Sequence, residues 1–591
     1  MYKNSRTASI KILLLVFSYV FIFSISKAAL ADELIETFVY AATGGTFSDD
    51  PDNPNITIII PPGALSNNAE LNVNLTKRPQ PVGANQFAAS AAYRIQLEQE
   101  DDEYEEDGKL KLSQPMQVII KASSAPMHPQ LGEMAYRKGS KWQRLHASLY
   151  RKSDTTVLAL TTKTKAELRV VHRSLQARSG AEVERGRTLY LDETWGSEAF
   201  WGDRFQLHEV LNNVTPFQAV NIGAQIDISK VPQPIVEVML SDDFATKQAA
   251  LNDPATTRAL IKAGAVFGVR GFFNDTANPD KLTSVGLTCA LCHVTAKPTA
   301  FQLAADAEPV FLPMGPAVFG PPNTRLDAGL LLSFTPRVQN ETPELLPQYT
   351  SWGRGMFDPR FFEGNPFNDD VNNPSSIPPH WNFIDLAEQD YAITWIGVLQ
   401  TRPDNHSLAS GPECGIDLVL GVNGAWGTDN ATIKNIEIAN DLPQLYWDRL
   451  DAAEQSEPGN VLQRQDLLDV EAFMQSLVSP APGAFDETRA AAGLALFYGK
   501  ANCVYCHQTA EGTGDAGFFT HIVENPPQGL LSIGIRTPGL RGLALTAPYF
   551  HDGSAATLAN VMARYASTDI PEVPELDEHE RAALVEYLKS L

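Results

Sequence analysis

Cysteine is scarce in this chain: five residues among 591, beside nine methionines and eleven histidines. That rules out a disulfide-stapled scaffold, which needs many paired cysteines in a short chain. Basic residues are also few. Lys and Arg number 46 against 70 Asp and Glu, a formal net charge of −24. A surface this acidic argues against nucleic acid as a partner, because phosphate binding needs a basic patch. It suits a basic redox partner steered in by charge. Beyond residue 31 no stretch is long and apolar enough to span a bilayer, so the mature chain is expected to have no membrane span.

The bulk composition is that of a soluble globular protein of several domains, with 43% hydrophobic and 20% charged residues. The first 31 residues read as a secretory signal peptide. Lys3, Arg6 and Lys11 form a positive start, residues 12–25 (ILLLVFSYVFIFSI) an apolar run, and AALA at 28–31 a small-residue cleavage site. No cysteine follows the run, which disfavours a lipid anchor. Removing residues 1–31 takes away four positive charges and leaves about −28. The expectation is export to the periplasm.

Residues 32–175 read as an all-β sandwich. GGTFSDDPDNPNITIIIPPGALSNNAELNVNLTKRP alternates β-branched with polar residues and is broken by Gly-Gly and Pro-Pro-Gly turns. KLSQPMQVIIKAS, TTVLALTTKT and AELRVVHRSL are further strands. GGTFS and IIIPPGAL resemble the ZU-five β-sandwich domain of ankyrins and netrin receptors. The acidic run EQEDDEYEEDG at 98–108 lacks the ligand spacing of a calcium loop and reads as a solvated loop. Residues 176–187 read as a polar linker.

From 184 the chain is helical and loop-rich. Two stretches share one plan, at 184–480 and 481–591. Each holds a pentad, CALCH at 289–293 and CVYCH at 503–507, and each ends on an amphipathic helix, DVEAFMQSL at 469–477 and ALVEYLKSL at 583–591. The first stretch is longer by about 100 residues of irregular chain, the kind of segment that is usually functional. DETRAAAGLALFYGK, with Ala492, Leu494, Leu496 and Phe497 as its expected buried stripe, runs into the second pentad. The closing LDEHERAALVEYLKSL begins on an Asp cap.

Four of the five cysteines lie in the pentads, and Cys414 is left as a free thiol. C-x-x-C-H is the attachment signature of c-type haem. Two intervening residues let both sulfurs reach one edge of the porphyrin, and the next histidine falls under the iron. A zinc half-site would want a second ligand pair nearby. A dithiol redox pair needs no trailing histidine. Two covalently bound c-type haems are therefore expected, on Cys289, Cys292 and His293 and on Cys503, Cys506 and His507.

Residues 535–565, IRTPGLRGLALTAPYFHDGSAATLANVMARY, resemble the bacterial di-haem cytochrome c peroxidases and their relative MauG. The resemblance rests on Arg536-Thr537-Pro538, Leu540-Arg541, Ala547 to Gly553 and Thr557-Leu558, and covers about 110 C-terminal residues. It implies that a distal ligand follows the Thr-Leu pair, at Tyr565, with Met562 one helical turn earlier as the alternative. A phenolate would lower the potential of the iron and a thioether would raise it. The resemblance also implies His551 beside this haem, Arg536 or Arg541 near its propionates, and a calcium ion with no ligands that can be named.

In those peroxidases the first haem meets peroxide beside a glutamate in an FWDGR-like run. This sequence lacks that run. SWGRGMFDPRF (351–361) and IPPHWNF (377–383) are the nearest substitutes. The SVGLTCALCH context and the Trp395–Gly397 pattern resemble the wider group of long di-haem proteins that includes a secreted rubber oxygenase. Candidates over the first iron are His380, His406 and His208, with His380 and Trp395 the weak catalytic candidates. Trp352, Trp381 and Trp395 are candidates for a relay between the haems.

The functional expectation is a peroxidase-like di-haem oxidoreductase. It would use hydrogen peroxide or dioxygen at the first haem, with electrons from a small redox protein passing through the second. An electron carrier with both irons six-coordinate is the alternative. In a third reading the β-sandwich docks the protein to a partner or to the cell envelope.

Overall fold

The computed structural model describes residues 33–83, 86–99, 110–127, 131–173, 180–305, 307–358, 361, 370–381, 464–507, 535, 537–568 and 573–591. The signal-peptide reading, Trp395, His406, Cys414, Arg536 and most of the acidic run lie outside them. The chain forms two compact units that divide between residues 174 and 175.

The first unit is built from two antiparallel sheets. In one the strand order is Glu33–Val39, Ala69–Leu75, Tyr93–Gln99, Lys165–Arg173, Gly132–Lys138 and Lys141–Leu145, with Gln86–Ala88 also paired to Lys165–Arg173. The other runs Ser148–Arg151, Thr156–Thr161, Met116–Lys121, Ile56–Ile60 and Gly45–Ser48. Strand periodicity of two makes the core. Ile56, Ile58 and Ile60 point inward from one sheet, as do Met116, Val118 and Ile120. Leu71, Val73, Ile95 and Leu97 answer from the other, and all are buried in one cluster. Gly44, at φ +57, makes the turn into the Gly45–Ser48 strand. A Cβ there would collide with the Ile60 carbonyl, so the first glycine of GGTFS is required by the fold.

The second unit repeats one helix crossing. Helix α1 (Gly180–Asp192) packs on α2 (Arg464–Gln475), and α3 (Glu487–Tyr498) packs on α5 (Glu578–Ser590), with α4 (Leu558–Ser567) beside α5. Each crossing is closed at a glycine. A Cβ on Gly186 would collide with the Asp469 carbonyl of α2, and one on Gly493 with the Ala583 carbonyl of α5. Only a missing side chain lets the backbones come this close. At the first crossing Arg185 adds a bidentate bond to the Asp469 carboxylate, at 2.7 and 3.0 Å. Asp486 caps α3 by accepting from the Thr488 and Arg489 amides, and Asp577 caps α5 in a capping box with Glu580.

Two sequence expectations are corrected here. From Gly180 onward the polar stretch 176–187 is helix rather than linker. Its buried positions are Gly186 and Tyr190, too few to give an amphipathic pattern, because the contact is a close glycine crossing. In α3 the buried stripe is Ala490, Gly493, Leu494 and Phe497, while Ala492 is exposed and Leu496 half-buried. The glycine, not the second alanine, faces the partner helix.

Between α1 and the first pentad the chain adds a further insertion, residues 193–288, which the repeat in the sequence did not show. It contributes short helices and an antiparallel pair, Val269–Phe272 with Ser284–Leu287, that leads directly into Cys289. Trp195, Phe200, Trp201, Phe205 and Leu207 from this insertion join Tyr190 and Phe473 in the core that surrounds the pentad.

Candidate functional site

The first pentad forms a single helical turn, Ala290–His293. Thr288 anchors its start, its hydroxyl donating to the Leu191 carbonyl at 3.0 Å and its amide to the Gly268 carbonyl at 3.0 Å. Gly268, at φ +77, lies against the backbone of Leu291, where a Cβ would collide. Asn323 holds the far side. Its amide nitrogen donates to the Cys292 carbonyl at 2.7 Å, and its side chain donates to Leu291 and Gly223 carbonyls. Gln225 in turn donates to Asn323 and accepts from the Ala296 amide. Nothing in the sequence marked Asn323 or Gln225, since a buried amide network leaves no periodic or spacing signal.

Cys289 and Cys292 are buried and unpaired with each other. Burial pushes both thiols up to about 12. A zinc site or an exchanging dithiol needs thiolates, which these surroundings disfavour. A thioether bond leaves the sulfur neutral, so the buried apolar setting fits haem attachment. His293 fits as well. Its Nδ1 lies 3.0 Å from the Pro378 carbonyl oxygen, an acceptor only. That places the proton on Nδ1 and leaves Nε2 as the lone-pair donor. Burial holds the ring well below its ordinary value, at about 3, and so neutral as a ligand must be.

The second pentad follows α3 directly. Asn502, at φ 49, turns the chain into a short 3-10 turn, Cys503–Tyr505, and the His507 amide donates to the Cys503 carbonyl at 2.9 Å. The His507 ring lies 6.4 Å from that of Phe497 on α3. Cys503, like the first pair, is pushed up to about 12 by burial. On α4, capped by Thr557 accepting from the Asn560 amide, Met562 is buried and Tyr565 half-buried.

Residues 375–381 join the first pentad to the 541–551 loop. Ser376 donates from its amide to the His551 carbonyl at 2.7 Å and from its hydroxyl to the Phe550 carbonyl at 3.0 Å. Pro378 bonds His293, as above. The His380 ring stacks on that of His293 at 3.4 Å. Trp381, buried, donates from Nε1 to the Arg541 carbonyl at 2.9 Å, and Gly542 lies flat against its indole. Of the remaining candidates, Trp352 donates to Asn372 at 2.7 Å within an aromatic group of Tyr349, Phe357 and Phe361. His208 sits on the short helix Leu207–Leu211 beside Glu209. His551 is buried. Among the described residues no group of three or more His, Cys, Asp or Glu side chains is placed to hold a metal ion, and no helix is long and apolar enough to cross a membrane.

The paired terminal helices and the attachment pentad of residues 487–591 define a c-type cytochrome domain, and the cytochrome c family model matches residues 490–591. Within known proteins, the chain is 32% identical over 117 residues to methylamine utilization protein MauG of Methylorubrum extorquens, covering 17% of this chain and 33% of that one. It is 31% identical over 121 residues to MauG of Methylophilus methylotrophus, covering 17% and 35%. The chain thus spans about a third of the length of these curated relatives. The cytochrome c match at residues 490–591 and the likeness to MauG together support covalently bound c-type haem. Among solved structures, a MauG-like protein associated with microbial copper homeostasis overlaps at a TM-score of 0.18 and 23% identity, over 22% of this chain and 56% of that one. Hydrazine synthase of Kuenenia stuttgartiensis overlaps at 0.21 and 15%, over 37% and 73%. Overlaps this slight carry no argument about fold.

Proposed function

We propose that the protein is an exported, periplasmic di-haem c-type cytochrome oxidoreductase of peroxidase-like activity. Hydrogen peroxide or dioxygen is reduced at the first pentad, and a small redox protein supplies electrons through the second. Haem, when bound, supplies the redox iron at each pentad. The chain does the rest. Cys289, Cys292, Cys503 and Cys506 would tether the haem, and His293 and His507 would ligate its iron. Pro378 keeps the proton of His293 on Nδ1. On the second domain Tyr565 is the proposed distal ligand, with Met562 as the alternative, and the resemblance would put His551 beside this haem and Arg536 or Arg541 at its propionates.

The observation that carries this reading is the segment 375–381. Over seven residues it touches the proximal histidine of the first pentad and the 541–551 loop of the second cytochrome domain. A pure carrier with two independent haems has no need of such a strap, whereas an enzyme that fills one site from the other does. Trp381, with its indole on the Arg541 carbonyl, is the proposed relay.

The test is a haem count by pyridine haemochrome, followed by optical spectra with stoichiometric hydrogen peroxide, fully oxidised and half-reduced. Two haems per chain, one of them converted by peroxide, support the enzyme. Two low-spin haems unmoved by peroxide in either state leave an electron carrier.

A further inference from the structure

Tyr190, which is buried, and His380 and His293, which are half-buried, form one stack drawn from α1, the 375–381 segment and the first pentad. The Tyr190 hydroxyl and His380 Nδ1 are 2.9 Å apart. The His380 and His293 rings lie 3.4 Å apart between centroids and 12° from parallel. Tyr190 is fully buried and is itself held edge-on by Phe473 of α2, at 5.2 Å. The backbone pins the same pair. The Gly320 amide donates to the His293 carbonyl at 2.9 Å, and the His380 amide donates to the Gly320 carbonyl at 2.8 Å. Gly320, at φ +97, leaves room for His380, whose carbonyl oxygen would stand 2.6 Å from a Cβ there.

This geometry does not suit a sixth ligand. Metal–imidazole bonds are about 2 Å long, so two imidazoles on opposite sides of one iron hold their nitrogens about 4 Å apart and their ring centres farther still. Two rings in face-to-face contact at 3.4 Å stand side by side, on the same side of any iron bound to His293. A ring bonded to iron at Nε2 and to a carbonyl at Nδ1 keeps one freedom, rotation about the line between them. A flat neighbour at van der Waals distance removes it. Groups that orient a ligating histidine tune the metal as well as place it.

We propose that His380 is a positioning residue on the proximal side of the first haem, clamped by Tyr190 and fixing the plane of His293, and that it is not a distal ligand. The proposal rests on the first pentad carrying haem. His380 and Tyr190 then act through His293 alone.

The experiment uses the full haem-loaded chain. His380→Phe keeps a flat ring and removes every nitrogen. His380→Ala removes the ring. Tyr190→Phe removes one hydroxyl and covers the case in which the His380 variants fail to fold. Each is read by pyridine haemochrome, by low-temperature electron paramagnetic resonance of the ferric protein, and by spectroelectrochemical titration of both haems. Expected is an unchanged haem count and an unchanged second haem throughout. The first haem keeps its resonance pattern in His380→Phe. In His380→Ala its g-values shift and its potential falls, because water enters beside the ligand and favours ferric charge. Tyr190→Phe shifts the g-values in the same sense and by less. Equal loss of a low-spin signal in His380→Phe and His380→Ala would make His380 the sixth ligand and overturn the proposal. So would identical spectra and potentials in all four proteins. A wild-type count of one haem, retained in a variant with Cys289 and Cys292 both replaced, would instead remove the functional reading on which the proposal stands.

Discussion

The indole Nε1 of Trp381 donates to the carbonyl oxygen of Arg541 at 2.9 Å, across 160 residues of chain. The bond ties a buried aromatic ring, one residue from the stacked His380, to the loop that precedes α4. Trp381→Phe keeps most of the ring and loses the donor. On the proposed electron path, transfer from the second haem to the first is expected to slow about tenfold, roughly 1.4 kcal/mol on the barrier, with haem content unchanged. Stopped-flow reduction followed at the two Soret bands checks this. A rate equal to wild type would remove Trp381 from the path.

The two glycine crossings give a stability prediction. Gly493→Ala would drive a methyl into the Ala583 carbonyl of α5, and Gly186→Ala into the Asp469 carbonyl of α2. Overpacking of this kind costs about 1–3 kcal/mol, and the cost here should sit at the upper end because backbone, not a flexible side chain, must move. Gly483→Ala is the control, since nothing lies within 4 Å of its added methyl. Thermal melts should show both crossing variants well below the control. Equal melting temperatures would mean that the helix pairs do not close at these glycines.

On the proposed reading, in which each pentad carries a haem, attachment should be separable between the pentads. Replacing Cys503 and Cys506 with Ala should halve the pyridine haemochrome yield, and replacing Cys289 and Cys292 should do the same. Cys414→Ser should leave it unchanged. The buried, high-lying thiols of the first pair add an expectation for the unloaded chain. With burial holding Cys289 and Cys292 at about 12, they should react slowly with alkylating reagents at neutral pH, because the thiolate is the nucleophile. Rapid labelling of the folded apo-chain would contradict the packing around them.

What the sequence disclosed and what it hid follow from range. The pentads, the strands of the first unit and the Asp cap of α5 are local patterns, legible from spacing and periodicity alone. The stripe of α3 was misread at Ala492 because a glycine, apolar by default, carried the contact. The helix α1 reads as linker because Gly186 and Tyr190 are its only fully buried residues, too few to mark a stripe. Asn323, Gln225 and Pro378 could not be assigned roles, since each serves His293 or its pentad through a backbone group about 30 to 100 residues away. IPPHWNF reads in the sequence as a substitute for a missing motif. That Pro378, His380 and Trp381 supply a carbonyl, a stacked ring and an indole to two stretches far apart in the chain is a property of the fold.

The capping box of α5 predicts a pH dependence whose sign is fixed. The Asp577 carboxylate is held below its ordinary value by accepting from the Glu580 amide. Glu580 is lowered too, by its bonds to Lys500 and to the Asp577 amide. A carboxylate with a depressed folded value contributes stability above its unfolded value, about 3.9 for Asp and 4.3 for Glu. That contribution is lost as pH falls through the folded values. The first turn of α5 should therefore loosen only in acid, starting near pH 4. Asp577→Asn keeps a good cap acceptor without the titration, and Asp577→Ala loses both. Hydrogen-exchange protection factors at the first turn of α5 should rank wild type near Asn and above Ala at pH 6. Below about pH 4 the wild type should fall toward the Ala variant while the Asn variant keeps its protection. A gap between wild type and Ala that stays constant down to pH 2 would show that the cap holds through the oxygen's geometry and not through its charge.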